Sequence, residues 1–103
     1  MNLGELIEYL ESKDSTIVVK MGFSEPHSYR GDYANLAFEP CKNTTVGKML
    51  ECAKSALNKV YTGYKGGEFT MREYVDVYIA EYGYLGEQVG KILLDYMTES
   101  EVK

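Results

Sequence analysis

The sequence predicts a small α+β domain, an antiparallel sheet with helices packed on one face. Three observations carry that reading. Apolar residues recur with helical spacing at the start of the chain, and the period then changes to two. A second helical stripe precedes another alternating run. The resulting order is helix, two strands, helix, strands, helix, which suits helices laid on one face of a sheet. A chain of 103 residues can bury one core, so residues 1–103 read as a single domain.

Leu3, Leu6, Ile7 and Leu10 follow the i, i+3, i+4, i+7 rule, which predicts an amphipathic helix over Asn2–Lys13 with Asn2 as its cap. Asp14 and Ser15 break the pattern. From Thr16 to Phe23 the alternation predicts a half-buried strand. Ile17, Val19, Met21 and Phe23 are expected inward, and Thr16, Val18, Lys20 and Gly22 outward. Ser24–Asp32, SEPHSYRGD, has proline, glycine and polar residues without a period, and reads as a loop. It is longer than the about two to five residues usual in a hairpin, and long loops in small domains are often functional. Tyr33–Glu39 reads as a second strand that stops at Pro40, which cannot donate to a ladder.

Asn43 or Thr44 is expected to cap a second helix running to Lys59, with Val46, Met49, Leu50, Ala53 and Leu57 as its apolar stripe. Lys48, Glu51, Lys54 and Asn58 face out. TGYKGGE then turns the chain, and a strand begins over Glu68–Met71. Tyr74–Tyr82 is a clearer strand, with Val75, Val77 and Ile79 inward and Asp76, Tyr78 and Ala80 on the other face. Leu85, Val89, Ile92, Leu93 and Tyr96 fit a last helix, although Gly86 and Gly90 each weaken it by about 1 kcal/mol relative to alanine. Their small size would let that helix lie close against a neighbour. The tail at 98–103, TESEVK, is expected to fray.

Composition narrows the function classes. A net charge of −5 argues against a broad face for a nucleic acid polymer, which normally shows as a basic excess. Cys41 and Cys52, with His27 as the single histidine, do not make a zinc site, so no metal and no cofactor is expected. Reduced thiols are the default, with a disulfide as the lesser alternative. The acidic, amphipathic start MNLGELIEYLESKD is not a secretory signal. No stretch reaches the roughly 18 apolar residues of a membrane span. A cytoplasmic protein without membrane contact is the expectation. Ten tyrosines and no tryptophan exceed what a core this size needs. That excess predicts a homo-oligomer.

Two segments hold the candidate chemistry, SEPHSYRGDY and YTGYKGGEF. In the first, Arg30 offers a planar guanidinium for phosphate or carboxylate, Ser28, His27 and Tyr29 add donors, and Gly31 admits close approach. In the second, Lys65 is a point charge beside Gly63, Gly66 and Gly67, whose amides could line an anion nest. Tyr61 and Tyr64 could stack on a base. The ligand set is then Ser28, Tyr29, Arg30, Gly31, Tyr61, Thr62, Tyr64, Lys65, Gly66 and Gly67. The bland readings stand beside it: a structural turn, a loop-fixing arginine and a solvated histidine. TGYKGG is not a P-loop, since it lacks the spacer and the GK[ST] ending. His27 with Asp32 or Glu25, or Cys41 alone, matches no catalytic constellation. No catalytic residue is assigned, and a binding protein is preferred to an enzyme.

The ordered combination SYRGDY, LAFEP and ALNKVYTGYKGGEFTM, covering Ser24 to Glu81, resembles a family of small proteins encoded by bacteriophages and prophages. The resemblance implies a phage origin and the host cytoplasm. Small phage proteins of this kind are often counter-defence factors. One class consists of oligomeric sponges that sequester nucleotide second messengers, such as cyclic ADP-ribose variants or cyclic oligonucleotides. By that analogy the chain is expected to bind a small nucleotide-derived signal without cleaving it. The alternatives are a module that inhibits or adapts a host protein, and a small nucleotide hydrolase or lyase.

Overall fold

The computed structural model describes residues 1–28, 35–63, 66–81, 84–90 and 94–95, with backbone alone at 80–81 and 84–88. In chain order the elements are α1 (Leu3–Glu11), β1 (Val18–Ser28), β2 (Asn35–Thr45), α2 (Val46–Ala56), β3 (Val60–Thr62), β4 (Glu68–Thr70), β5 (Asp76–Glu81) and β6 (Tyr84–Gln88). This is an α+β architecture with a four-stranded sheet in the order β1-β2-β5-β6 and a separate β3–β4 hairpin.

Helix α1 forms where the apolar spacing requires it, and Leu3, Leu6, Ile7 and Leu10 are all buried. Its start is fixed reciprocally. The Asn2 side chain accepts from the Glu5 N–H, and the Glu5 carboxylate accepts from the Asn2 N–H, each at 2.9 Å. After the helix, the Asp14 carboxylate accepts from the Thr16 N–H at 2.9 Å and the Thr16 hydroxyl at 2.7 Å, closing an Asx turn. At the far end of the chain, the Tyr9 hydroxyl donates to Asp95 at 2.5 Å.

Strands β1 and β2 pair antiparallel from Val18↔Thr45 to Ser28↔Leu36, with a shift between Phe23 and Pro26. Ser24–Ser28 is therefore strand rather than loop, and Pro26 is tolerated because it lies at the irregularity. Likewise β2 does not stop at Pro40. Its pairing with β5 covers only Asn35–Phe38, so beyond that point one edge of β2 has no β5 neighbour and a missing N–H costs little. The β2–β5 pair is parallel, a departure from an all-antiparallel sheet. Helix α2 and the β3–β4 hairpin supply the long crossover that a parallel pair requires.

The faces of β1 also differ from simple alternation. Val19 and Phe23 are buried and Ile17 packs partly against the core, but Met21 is 71% exposed. Gly22 instead faces α2: a Cβ there would lie 2.7 Å from both Met49 Sδ and Thr44 Cγ2. The disturbance coincides with Asn43, which has a left-handed φ of 58°. The cap of α2 is Thr45, whose hydroxyl accepts from the Lys48 N–H at 3.2 Å, and not Asn43 or Thr44. Thr44 is a buried strand residue. The helix ends at Ala56, short of Lys59, because Asn58 turns left-handed at φ 65° and gives its N–H to the Met71 carbonyl.

Val75 and Val77 on the β5 side are buried and Ile79 packs against the core, as the alternation predicts. The expected last helix is corrected at its start. Residues 84–88 form β6, because the edge of β5 offers a ladder to a segment whose Gly86 disfavours helix. Leu94 and Asp95 are helical, with the Leu94 N–H donating to the Gly90 carbonyl. Ile92, Leu93, Tyr96 and the tail at 98–103 lie outside the described residues. One core joins both helices to the sheet, with the Phe23 and Phe38 rings 4.5 Å apart at its centre. No described helix is long and apolar enough to cross a membrane.

Candidate ligand-binding site

The first candidate segment begins on firm backbone. Ser28 is the last residue of β1, half-buried and opposite Leu36. Tyr29, Arg30 and Gly31 lie outside the described residues, in the stretch that joins β1 to β2. His27 is a strand residue opposite Ala37, and its Nε2 stands 2.9 Å from Glu39 Oε1. Glu39 is two positions along β2 from Ala37 and so shares its face. Sequence reasoning had no route to that pair without the register. Both side chains are exposed, so solvent screening leaves the interaction worth about 0–1 kcal/mol.

The second segment is a hairpin. Tyr61 pairs with Phe69 across β3 and β4, their rings stacked at 6.1 Å between centroids. The Lys59 ammonium lies 5.4 Å from the centre of the Tyr61 ring. Tyr61 also packs against the core, so its ring is held by protein. Its hydroxyl is buried without a hydrogen-bond partner, and burial raises the phenol's pKa above its ordinary value. Tyr61 is thus a packing residue in this structure.

The turn itself uses part of the expected anion nest. The Gly63 N–H donates to the Gly67 carbonyl at 2.6 Å, and the Gly66 N–H donates to the Gly63 carbonyl at 2.9 Å. Those two amides close the hairpin and are not directed at a ligand. Gly66 has φ 85°, which explains glycine at that position. Gly66 and Gly67 are exposed, and a Cβ on either would meet nothing within 4 Å. Their main chain is open to approach. Thr62 is exposed opposite Glu68, while Tyr64 and Lys65 lie outside the described residues.

Among the described residues no group of three or more His, Cys, Asp and Glu is arranged to hold a metal ion. No family model matches the chain, and no solved structure matches it. The chain is similar to a probable 1,3-beta-glucanosyltransferase, GAS3, of Saccharomyces cerevisiae, with 29% identity over 105 residues. That match takes in 90% of this chain and 20% of the yeast protein, so the chain spans a small part of the relative's length.

Proposed function

We propose that the chain is a non-catalytic binding protein of phage origin that sequesters a small nucleotide-derived signal in the host cytoplasm, as a homo-oligomer. The observation that supports this reading is the open main chain at Gly66–Gly67, carried on a hairpin that Tyr61, Phe69 and the core hold firm. Lys65 precedes that main chain in sequence and supplies a cation for a phosphate. Arg30, in the stretch between two paired strands, supplies a bidentate donor. On this reading the ligand is held and released unchanged.

The test is to incubate the protein with cyclic ADP-ribose variants and cyclic oligonucleotides, heat it, and analyse what is released. Intact nucleotide released on heating is the expected result, and altered nucleotide would mean an enzyme. A charge-assisted hydrogen bond contributes about 1.5–3 kcal/mol. Arg30→Ala and Lys65→Ala should therefore each weaken binding by roughly ten- to a hundredfold, with circular dichroism unchanged. Folded variants that bind as tightly as the parent would overturn the reading. A β-1,3-glucan oligosaccharide belongs in the same panel, because the yeast similarity suggests a sugar in place of the nucleotide. A second reading, docking on a host protein, is favoured by the exposed Met21, Tyr74, Val18 and Val60 side chains.

A further inference from the structure

Cys41 and Cys52 are both free and half-buried, one on β2 and the other on α2. Cys41 lies directly opposite Gly22 on β1, and cross-strand partners project to the same face. That face is the one α2 covers, because the place of a Gly22 Cβ is already filled by the Met49 sulfur. Cys52 follows Met49 by one helical turn, on the same side of α2, and packs against the core. Gly22 has no side chain to stand between Cys41 and the helix. The two cysteines thus face one strand–helix junction from opposite sides. The electrostatic surroundings of Cys52 agree with this. The Cys52 pKa is raised chiefly by burial, then by the negative charges of Glu25 and Glu51, and also by Cys41. A charge effect of one thiol on the other falls off with distance.

We propose that Cys41 and Cys52 form a redox pair that closes to an intramolecular disulfide, bolting α2 to β2. The oxidant is a dissolved low-molecular-weight disulfide, such as oxidised glutathione. Burial and the neighbouring carboxylates disfavour the Cys52 thiolate, so Cys41 makes the first attack. The Cys41 thiolate bonds to one glutathione sulfur and expels the other as thiolate. Cys52 then loses its proton, attacks the Cys41 sulfur, and expels the second glutathione. Two protein thiols become one disulfide, and one oxidised glutathione becomes two reduced ones.

The experiment uses the full chain in a mildly alkaline glutathione buffer, quenched with acid, alkylated, and weighed intact. The folded protein should lose two hydrogens and carry neither alkyl group nor glutathione. Cys41→Ser and Cys52→Ser should each end as a single glutathione adduct. Closure in the folded protein should be at least about tenfold faster than in guanidinium, because the fold raises the effective concentration of one thiol at the other. Two glutathione adducts on the folded parent, disulfide-linked dimers, or closure no faster than in the unfolded chain would each overturn the proposal.

Discussion

Replacing Tyr61 with phenylalanine should stabilise the protein, although it removes a polar group from a native residue. The hydroxyl oxygen is buried and has no hydrogen-bond partner, so folding strips it of water without return. A group left in that state costs about 1–3 kcal/mol. The ring is fixed independently by Phe69 at 6.1 Å, by Lys59 at 5.4 Å and by the core, and Tyr61→Phe leaves all of these in place. The expected gain is about 1 kcal/mol, the low end of that range because the residue is only partly buried. For a domain near this size that raises Tm by about 4–8 °C. Urea unfolding of the two proteins gives the difference directly. Alkaline pH supplies a second readout. The unfolded phenol ionises near its ordinary value of 10, while burial holds the folded one neutral to higher pH. The unfolded state therefore loses its proton first, and wild-type stability falls as pH rises from about 10 through the folded value. The phenylalanine variant lacks that contribution, so its advantage should widen above pH 10. A variant less stable than the parent by 1 kcal/mol or more would show that the hydroxyl is satisfied, and would refute the reasoning.

Two further perturbations test the frame. Asn2→Ala removes the acceptor for the Glu5 N–H and with it one half of the capping box, and should cost about 1 kcal/mol by urea unfolding. Gly22→Ala drives a Cβ to 2.7 Å from Met49 and Thr44 and should cost about 1–3 kcal/mol, because the Thr44 methyl stands on a short, branched side chain of the paired strand. Gly67→Ala meets nothing within 4 Å and should stay within about 0.5 kcal/mol of the parent, which makes it the control.

Local pattern carried much of the fold. The helical spacing of Leu3, Leu6, Ile7 and Leu10 and the alternation of Val75, Val77 and Ile79 each report burial within one element, and the structure agrees at those positions. Features that depend on a partner strand were not legible. Pro26 and Pro40 signal an end to pairing, yet each sits where the ladder is irregular or one-sided. Met21 and Gly22 exchange roles beside a left-handed Asn43 on the strand opposite, which no period in β1 reveals. The candidate site divides the same way. Glycine in the 63–67 turn was readable from composition, but the donation of the Gly63 and Gly66 amides within the turn was not. Tyr61 reads as a stacking platform because a glycine-rich run follows it in sequence, whereas its position opposite Phe69 makes it part of the packing.

The parallel β2–β5 pair and the seam beside it set an order on folding. Helix α1 packs against α2, with Glu11 paired to Lys54 at 3.1 Å, and its backbone is tied to β5 and the residues just before it. The Leu3 N–H donates to the Val75 carbonyl, the Gly4 N–H to that of Glu73, and the Val77 N–H to that of Met1. The β1–β2 hairpin and α2 are neighbours in sequence and can close over short loops, while the seam must wait for residues far along the chain. During synthesis α1 can pack on α2 once that helix is made, yet its backbone seam has no partner until β5 follows. The main-chain groups of that seam then stay unpaired for the whole interval between α1 and β5, and a pause in translation after α2 would lengthen it. The backbone of the first helix is fixed only when the third strand of the sheet arrives.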